Sequence, residues 1–467
     1  MGWNKTEIVA ATGGKVIHEG TGARYGEVVT DSTKATRGSV FVALKGERHD
    51  GHGFVGDAVR RGARCVIIHR PVSQAIQGKA TAIRVADTLK ALGDLAHYRR
   101  VRLDPNVLAI TGSNGKTTTK EMAAAIFESA TLDGQALSGR VLKTKGNFNN
   151  LVGLPLTLLR LRTRHKVAVV ELGTNHPGEI RRLAEIADAD AGLITSVGSA
   201  HLEGLNSLAG VAREKGALLQ KIRAGGVIAV NLDDSWVRRL GAKIKGRRIT
   251  FGKGGQVRAT TLRMRGTRGM EFILQTGRQS CPVRLNYLGR HNVTNALGAA
   301  ALALAEGVKL TAIKRGLEQA KPFPMRMQIE QWRGVGVIND TYNANPASMA
   351  AALRTLAEIK PKGARIAVLG DMFELGKHSA KAHRELGREA ARASLAGLYL
   401  LGREADRVRL GALEGGLKPE QIVIGRDHAD LARRLRERVK RGDWLLFKGS
   451  RGMKMEKVLQ QLKSERA

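Results

Sequence analysis

The sequence predicts an α/β protein of three domains. Three observations support this: the chain length, a repeated alternation of apolar strands with helical segments, and two breaks in that alternation. A chain of 467 residues is long enough for two to four domains that each bury a core. We expect a small mixed α/β domain in residues 1–104, a parallel sheet with attached antiparallel strands in 105–321, and a Rossmann-like domain in 322–467.

The first domain contains short apolar runs separated by glycine-rich turns. "SVFVAL" (39–44), "ARCVIIH" (63–69) and "AIRVAD" (82–87) are typical of strands, and "FVGDAVRRG" (54–62) of a helix. We interpret "RRVRLDPN" (99–106) as a linker, because Asp-Pro-Asn interrupts regular structure.

The second domain begins with runs that are apolar at every position. Strands of this kind belong in a parallel sheet covered by helices on both faces. From about residue 247 to 288 the runs alternate and carry glycine turns, which predicts antiparallel hairpins. The predicted parallel strands are "VLAITG" (107–112), "KVAVVELG" (166–173), "AGLITSVG" (191–198) and "GGVIAVNLDD" (225–234), and the predicted closing helix is "NVTNALGAAALALAEG" (292–307).

The third domain follows a second predicted linker, "KPFPMRM" (321–327), which contains two prolines. Strand-like and helix-like segments then alternate again, which indicates a second doubly wound α/β unit. The predicted strands are "VGVINDTYN" (335–343), "RIAVLGDM" (365–372), "GLYLLG" (397–402), "QIVIG" (421–425) and "DWLLFKGS" (443–450).

The composition is that of an ordinary globular protein, with 42% hydrophobic and 26% charged residues. No apolar run is long enough to span a bilayer, so we expect no membrane insertion. Cys65 and Cys281 are the only cysteines, which excludes a disulfide scaffold and fits a reducing compartment. The sequence therefore favours a cytoplasmic protein.

The formal net charge of +36 raises the question of a nucleic-acid partner. The alternative is a solvated basic surface that assists binding of a polyanionic small substrate. Lysine and arginine are spread along the chain, and aromatic residues make up only 4% of it, too few for an obvious base-stacking platform. We therefore expect no nucleic-acid partner.

The stretch "TGSNGKT" (111–117) has the features of a phosphate-binding loop between a strand and a helix. Glycines let backbone N–H groups approach phosphate oxygens, a lysine reaches the terminal phosphates, and a neighbouring hydroxyl can bind Mg²⁺. The common Walker spacing would place glycine at position 110, where this chain has Ile110, so the loop is a variant. The expected phosphate contacts are Gly112, Ser113, Asn114, Gly115, Lys116, Thr117 and Thr118.

Two further side chains follow predicted strands of the same sheet. Glu171 and His201 lie at the carboxyl ends of strands, where open α/β sheets bind ligands. A carboxylate there could bind Mg²⁺ beside Thr117. A single histidine is more often an ordinary surface or core residue, and that alternative stays open for His201.

Seven motifs in order resemble those of the ATP-dependent Mur ligases of bacterial peptidoglycan synthesis. The match covers nearly the whole chain and is far more specific than any single motif. Within the family, "GNFNNLVGLPLTLL" (146–159) is similar to the branch that joins D-alanyl-D-alanine to UDP-N-acetylmuramoyl-tripeptide. The seven motifs are "TGSNGKTTTKEM", "ELGTNHPGEI", "GSAHLEGLNSLAGVAREKG", "LGRHNVTNALGAAALAL", "DTYNANPASM", "VLGDMFELG" and "KGSRGMKMEKV".

The resemblance implies an amide ligase that uses ATP. ATP would convert the tripeptide carboxylate to an acyl phosphate, and the amine of D-alanyl-D-alanine would attack it. The implied cofactors are ATP and two Mg²⁺ ions, and the implied state is a monomer in the bacterial cytoplasm. Whether the third peptide residue is lysine or diaminopimelate stays open.

The resemblance also implies roles for individual residues of the central domain. Lys116 would neutralise phosphate charge, Thr117 and Glu171 would hold one Mg²⁺, and His201 would bind the second. Lys215 matches a lysine that the family carbamylates; the alternative is an exposed helix lysine. Catalysis would thus depend on Lys116, His201 and Lys215.

Other matched positions would bind the two nucleotides. Asn295 would contact adenine, and Arg326 and Asp340 would contact the phosphate and ribose of ATP. Asp31 and Ser32 would meet the uridine nucleotide, although this chain has Thr33, followed by Lys34, where the family usually has arginine. Asn147, Asn149 and Asn150 would contact substrate or form an asparagine-rich turn, and Ser450 and Arg451 would hold the dipeptide or cap a helix.

Two alternatives remain at this level. One is another amide ligase of the same architecture, either a folylpolyglutamate-type enzyme or a different Mur ligase. The other is a nucleic-acid-stimulated P-loop ATPase, suggested by the charge.

Overall fold

The computed structural model describes residues 2–71, 78–199 and 202–464. It contains three large sheets and one two-stranded hairpin, so the predicted α/β class is confirmed. Among the described helices, none has the length and apolar character needed to cross a membrane.

The amino-terminal unit is a five-stranded sheet in the order β1-β5-β4-β3-β2. Strand β1 is antiparallel to β5 and the other pairs are parallel, which is the mixed arrangement expected. The elements are α1 (Lys5–Thr12), β1 (Lys15–His18), β2 (Val28–Val29), β3 (Val40–Val42), α2 (Val55–Arg60), β4 (Cys65–Ile68), β5 (Thr81–Arg84) and α3 (Thr88–Leu103).

The predicted linker at 99–106 is wrong over most of its length, because α3 continues through it to Leu103. Arg100 explains the continuation. Its side chain is fully buried, and its guanidinium donates to the carbonyl of Asp188 and to the carboxylate of Asp190, both at 2.9 Å. Asp104 then adopts a left-handed backbone (φ 41°) and ends the helix just before Pro105. The helix is therefore packed against the central sheet.

The central unit is a nine-stranded sheet in the order β16-β15-β14-β13-β12-β11-β6-β10-β9. Helices cover both faces of its parallel part, and the largest core cluster lies under α4 and α10. The elements are β6 (Asn106–Thr111), α4 (Lys116–Glu128), β7 (Thr131–Leu132), β8 (Gln135–Ala136), β9 (Val141–Lys143), α5 (Gly153–Leu158), β10 (Val167–Glu171), α6 (Glu179–Ala187), β11 (Ala191–Ile194), α7 (Leu202–Leu205), α8 (Leu208–Gln220), β12 (Val227–Asn231), α9 (Ser235–Ala242), β13 (Arg247–Phe251), β14 (Val257–Met264), β15 (Met270–Thr276), β16 (Gln279–Leu285), α10 (Arg290–Ala305) and α11 (Leu310–Gln319).

The four predicted parallel strands and the predicted α10 are confirmed, as is the antiparallel run β14-β15-β16. The antiparallel prediction is wrong at its start, because β13 pairs in parallel with β12. Its burial pattern is exposed on the first two residues and buried only at Phe251, so the segment lacks the continuous apolar signature of a parallel strand.

The carboxy-terminal unit is a six-stranded sheet in the order β17-β18-β22-β19-β20-β21. The five predicted strands form its parallel part, and β17 adds an antiparallel edge that the sequence did not reveal. The elements are β17 (Gln328–Trp332), β18 (Val335–Asp340), α12 (Pro346–Glu358), β19 (Arg365–Gly370), α13 (Ser379–Arg392), β20 (Gly397–Leu401), α14 (Ala405–Glu414), β21 (Ile422–Ile424), α15 (His428–Arg438), β22 (Trp444–Lys448) and α16 (Glu456–Ser464).

The carboxyl ends of the central and carboxy-terminal strands face a shared cavity of about 670 Å³. The phosphate loop after β6 lies on one side of it, and the residues after β18 and β22 lie on the other. The two sides are joined by a hydrogen bond of 2.8 Å, in which the side-chain amide of Asn345 donates to the side-chain carbonyl of Asn114.

Candidate active site

The loop between β6 and α4 has a backbone that only glycine tolerates at two positions. Gly112 and Gly115 have φ values of 148° and 83°. A β-carbon at Gly112 would lie 1.9 Å from the Thr195 hydroxyl oxygen, and one at Gly115 would lie 2.2 Å from the Asn295 amide oxygen. The loop is thus seated tightly between β11 and α10, which fits the close backbone approach of a phosphate loop.

Lys116 is the first residue of α4 and folds back over the loop. Its ammonium donates to the Gly112 carbonyl at 2.7 Å. Burial lowers the pKa of Lys116 from its usual value; Glu171 opposes this shift, and the charge of Arg326 adds to it. The ammonium therefore lies where positive charge is concentrated and where an anion would be stabilised.

Glu171 connects the loop to the asparagine-rich segment. Glu171 is the last residue of β10, pairs with Ile110 of β6 in the strand register, and is only 2% exposed. Its carboxylate accepts a hydrogen bond from the Thr117 hydroxyl at 2.9 Å and one from the Asn149 amide at 2.8 Å. Three predicted site residues from distant parts of the sequence are thus in contact.

The donor set suits Mg²⁺ bound together with a phosphate. No group of three or more His, Cys, Asp or Glu side chains that could hold a metal occurs within residues 2–71, 78–199 and 202–464. Mg²⁺ commonly uses one or two protein carboxylates and completes its shell with phosphate oxygens and water. The Thr117 hydroxyl and the Glu171 carboxylate match that requirement.

Lys215 is buried, so the alternative of an exposed helix lysine is wrong. It lies on α8 with 1% exposure. Burial holds the pKa of Lys215 well below its usual value, the charge of Lys116 lowers it further, and Glu214 opposes the shift. A lysine with a lowered pKa carries a neutral amine more often, and the neutral amine is the reactive form.

His201, the predicted ligand of a second Mg²⁺, lies outside the described residues.

On the opposite wall, Asp340 and Lys448 form a buried ion pair of 2.6 Å. Asp340 also accepts from the backbone N–H of Met327 at 3.0 Å, and Lys448 also donates to the carbonyl of Asn343 at 2.9 Å. Asp340 was predicted to bind the ribose of ATP. It does line the cavity, but its carboxylate already has two partners.

Arg326 has an unsatisfied donor at the cavity. Its guanidinium lies 4.1 Å from the ring centre of Tyr342. Within the part of the chain that the structure describes, its buried Nε has no hydrogen-bond partner. A stacked guanidinium with an unused N–H, next to the phosphate loop, fits an anionic ligand.

Asn295 and His291 on α10 form the third wall. Asn295 donates to the side-chain carbonyl of Asn292 at 2.9 Å, and Asn292 donates to the carbonyl of Leu288 at 2.7 Å. Burial lowers the pKa of His291 to about 4; Asp340 opposes this, and Lys448 and Arg354 add to it. The wall is therefore neutral and polar, which suits a base rather than a phosphate.

The three asparagines after β9 have different surroundings. Asn149 is bound to Glu171, as described above. Asn150 accepts from the N–H groups of Val152 and Gly153 at the start of α5, so the turn interpretation fits it, and Asn147 is exposed.

Asp31 and Ser32 lie at the end of β2 and do not line this cavity. Asp31 accepts from the backbone N–H and the hydroxyl of Thr33, at 3.0 and 2.6 Å. These bonds lower the pKa of Asp31. Thr33, which departs from the usual family pattern, therefore supports the aspartate beside it.

The remaining predicted residues all line the cavity: Ser113, Asn114, Thr118, Ser450 and Arg451. Ser450 accepts from the backbone N–H of Phe373 at 2.8 Å and so fixes the loop after β19. The sequence interpretation missed Lys448 and Asn345. Each had a signal in the sequence. Lys448 ends the apolar run "DWLLFK", and Asn345 precedes a proline at the start of a helix.

Family models match three successive parts of the chain. The "Mur ligase family, catalytic domain" model matches residues 24–100, the "Mur ligase middle domain" model 110–303, and the "Mur ligase, glutamate ligase domain" model 325–451.

Curated relatives and solved structures match nearly the full length. The UDP-N-acetylmuramoyl-tripeptide–D-alanyl-D-alanine ligase of Escherichia coli (strain K12) is 37% identical, with 93% of each chain covered. A crystal structure of MurF from Acinetobacter baumannii superposes with a TM-score of 0.90 at 35% identity, covering 100% of this chain and 99% of that one. MurF ligase from Thermotoga maritima, in complex with ADP, gives a TM-score of 0.81 at 29% identity, covering 94% and 97%. With this coverage and the phosphate loop at the shared cavity, the chain belongs to the Mur ligase family of ATP-dependent ligases.

Proposed function

We propose that this protein joins D-alanyl-D-alanine to UDP-N-acetylmuramoyl-tripeptide at the expense of ATP, forming the UDP-N-acetylmuramoyl-pentapeptide of peptidoglycan synthesis. The single observation that carries the proposal is the contact of Thr117 and Asn149 with one carboxylate, Glu171, beside Lys116. These hydrogen bonds connect the phosphate loop and the asparagine-rich segment to one buried carboxylate, which supports a shared role in binding Mg²⁺ and substrate. The E. coli relative, named for this reaction, supports the choice of substrates.

The physical problem of the reaction is to bring two anions together, a peptide carboxylate and the terminal phosphate of ATP. ATP supplies the phosphoryl group that turns the carboxylate into an electrophile. Lys116, the loop N–H groups and Arg326 would stabilise the charge that develops during the transfer. Asn295 would hold the adenine.

Two Mg²⁺ ions are part of the proposal. Thr117 and Glu171 would hold one of them, where it would screen the charge between the carboxylate and the phosphate. His201 is proposed as a ligand of the second.

Lys215 is proposed to be carbamylated. Attack of its neutral amine on CO₂ forms an N–C bond and, after loss of a proton, an anionic carbamate. Beside Lys116 a carbamate is favourable where a second ammonium would be repelled. Removal of bicarbonate and CO₂ should reduce turnover, and added bicarbonate should restore it. Lys215→Met should be inactive in both conditions, and unchanged turnover without CO₂ would contradict the modification.

Residues 1–104 are proposed as the UDP-substrate domain, with Asp31 and Ser32 as contacts. Residues 105–321 would bind ATP, and residues 322–467 would bind the dipeptide and close over ATP. Asn147 and Asn150 are proposed as substrate contacts with Asn149. We propose a monomer acting in the bacterial cytoplasm.

The test is phosphate release from purified protein supplied with ATP, Mg²⁺ and candidate substrates. Both the lysine and the diaminopimelate forms of the nucleotide tripeptide are offered, each with D-alanyl-D-alanine, D-glutamate or a diamino acid. D-alanyl-D-alanine should stimulate release with at least one form. Stimulation by another amine alone would mean a different amide ligase, and stimulation by RNA or DNA alone would mean a nucleic-acid-dependent ATPase.

A further inference from the structure

The central sheet ends at an open strand edge. Strand β9 pairs with β10 on one side, and no described strand pairs with its other side. Residues 141–146, which include β9, line a groove of about 1210 Å³ together with the segment after α5 and the second linker. We call it the β9 groove. An unpaired edge offers N–H and C=O groups that an extended peptide can bind.

The lining of the β9 groove is strongly basic. It includes seven lysine and arginine side chains but two carboxylates, Glu27 and Glu121. Those carboxylates are already paired, Glu27 with Arg162 at 3.3 Å and Glu121 with Lys120 and Lys143. Among the described residues, no carboxylate forms an ion pair with the following lining side chains: Lys145, Arg160, Arg164 and Lys321.

The pKa of His165 is affected by the same positive charges. It lines the groove and is 8% exposed. Burial lowers the pKa of His165, and the charges of Arg164, Arg162 and Arg160 lower it further. Of these three arginines, Arg160 and Arg164 have no carboxylate partner among the described residues, so their charges act on the imidazole without local compensation.

Among the described residues, the groove shares no lining residue with the cavity that contains the phosphate loop, and Asp31 and Ser32 do not line it. Gly26 and Glu27, which line it, precede β2, whereas Asp31 follows that strand at its other end. The phosphate loop lines the other cavity, on the far side of β10 from β9. A ligand in the groove need not compete with ATP.

The combination of features selects the class of ligand. A phosphate chain would use the cations alone and leave the strand edge unpaired. RNA would also need aromatic platforms, and Phe323 is the one aromatic ring of Phe, Tyr or Trp that lines the groove within the described residues. An extended peptide with carboxylates can use both the edge and the cations.

We propose that the β9 groove binds an acidic, extended peptide segment of a partner protein, which adds to β9 as a tenth strand of the central sheet. Side chains at alternate positions of a strand point to the same face. Carboxylates at alternate positions of the peptide would therefore meet the lysines at 143 and 145 together.

Thr144 connects this strand edge to the proposed active site. Thr144 directly follows β9; its hydroxyl oxygen accepts from the backbone N–H of Glu171 at 3.0 Å. Its carbonyl accepts from the buried ammonium of Lys120 at 2.7 Å. A peptide that straightens β9 would act on the position of Glu171 by this route.

The test uses a fluorescein-labelled peptide, Glu-Val-Glu-Val-Glu-Val, and fluorescence anisotropy with the full-length protein at physiological salt. The same peptide with N-methyl groups on alternate residues keeps its charge but cannot form the ladder. Losing two or three backbone hydrogen bonds should weaken binding at least about tenfold. Arg160→Glu with Arg164→Glu should weaken binding by a similar factor.

The matched control reverses two exposed arginines at the opposite end of the same sheet, Arg268→Glu with Arg278→Glu. It changes the net charge equally and should change affinity less than about twofold, because screening removes distant charges. Melting temperature and D-alanyl-D-alanine-dependent phosphate release, measured without peptide, should be unchanged in both double variants.

Three results would overturn the proposal. One is absence of peptide binding at micromolar protein. Another is equal affinity for the N-methylated peptide, which would mean that charge alone binds it. The third is binding of an RNA oligonucleotide or inorganic polyphosphate that Arg160→Glu with Arg164→Glu weakens while peptide binding is unaffected.

Discussion

The two large parallel sheets end in polar residues at the same kind of edge, but they treat those residues differently. In the carboxy-terminal sheet the charges at the ends of two neighbouring strands are paired within the protein, because Lys448 of β22 forms an ion pair with Asp340 of β18. In the central sheet Glu171 has two neutral partners, and Lys116 donates to a carbonyl of its own loop.

The difference shows how one topology can serve two purposes. Buried charges without opposite partners are unfavourable unless a ligand supplies the opposite charge. The central edge is therefore suited to receive a charged ligand. Charges paired internally hold loops in place, so the carboxy-terminal edge presents a fixed wall. Substitutions on the two edges should therefore affect different quantities, stability on one and activity on the other.

The largest expected effect is on stability, at the paired edge. Lys448→Met leaves the Asp340 carboxylate buried without its partner, and should lower the free energy of unfolding by about 3–5 kcal/mol. Denaturant unfolding followed by fluorescence measures it. Asp340→Asn with Lys448→Met removes both charges and should recover part of the loss. Equal losses in the single and double variants would show that the pair itself is not the source.

At the ligand-receiving edge, Lys116→Met should lower kcat/KM about 100- to 1000-fold, because one charge-stabilising donor is lost at the phosphate. Phosphate release with both substrates measures it. The melting temperature should stay the same, and Lys360→Met, a change at an exposed lysine far from the loop, should leave activity intact. Undiminished turnover of Lys116→Met would remove the distinction between the two edges.

His291, between the edges, should make stability depend on pH. Its pKa falls from 6.5 to about 4 on folding, so the unfolded chain binds the proton more readily in that window. Stability should therefore rise with pH from about 4 to 6.5, by an upper bound of roughly 3 kcal/mol that partial exposure reduces to about 1–2. His291→Gln should flatten the curve in this window; an unchanged slope would assign it to other groups.

The smallest expected effect concerns the contact that joins the two edges. Asn345→Ala removes both the cap of α12 and the bond to Asn114, and should cost about 1 kcal/mol of stability. Asn345→Ser keeps a capping oxygen but cannot reach Asn114 as an amide does, so it isolates the joining contact. If Asn345→Ser raises KM for ATP while stability is kept, the contact positions the loop; unchanged kinetics would make it a cap only.

Much of the molecule follows from local sequence. The continuous apolar runs predicted nine parallel strands in the two large sheets, because a strand covered on both faces needs apolar residues at every position. The phosphate loop was also predictable, since glycines at 112 and 115 followed by Lys-Thr have few other uses between a strand and a helix.

Where the sequence prediction failed, contacts between distant segments decided the outcome. The end of α3 was predicted to be a linker, because the sequence does not show that Arg100 bonds to Asp188 and Asp190. Strand β13 contains too few apolar residues to be recognised as a parallel strand. Half-exposed strands and buried charged side chains cannot be recognised from the neighbouring sequence, because the residues that stabilise them lie far along the chain.

The sequence by itself determined the three α/β units, the loop that receives phosphate and the residues available for its chemistry, because these depend on periodicity and on short-range backbone geometry. Tertiary structure alone decided that Glu171 meets Asn149, that Lys215 is buried, that Lys448 neutralises Asp340, and that β9 is left with an open edge in a basic groove. Such pairings depend on how sheets are ordered and packed, and one chain's spacing does not record that order.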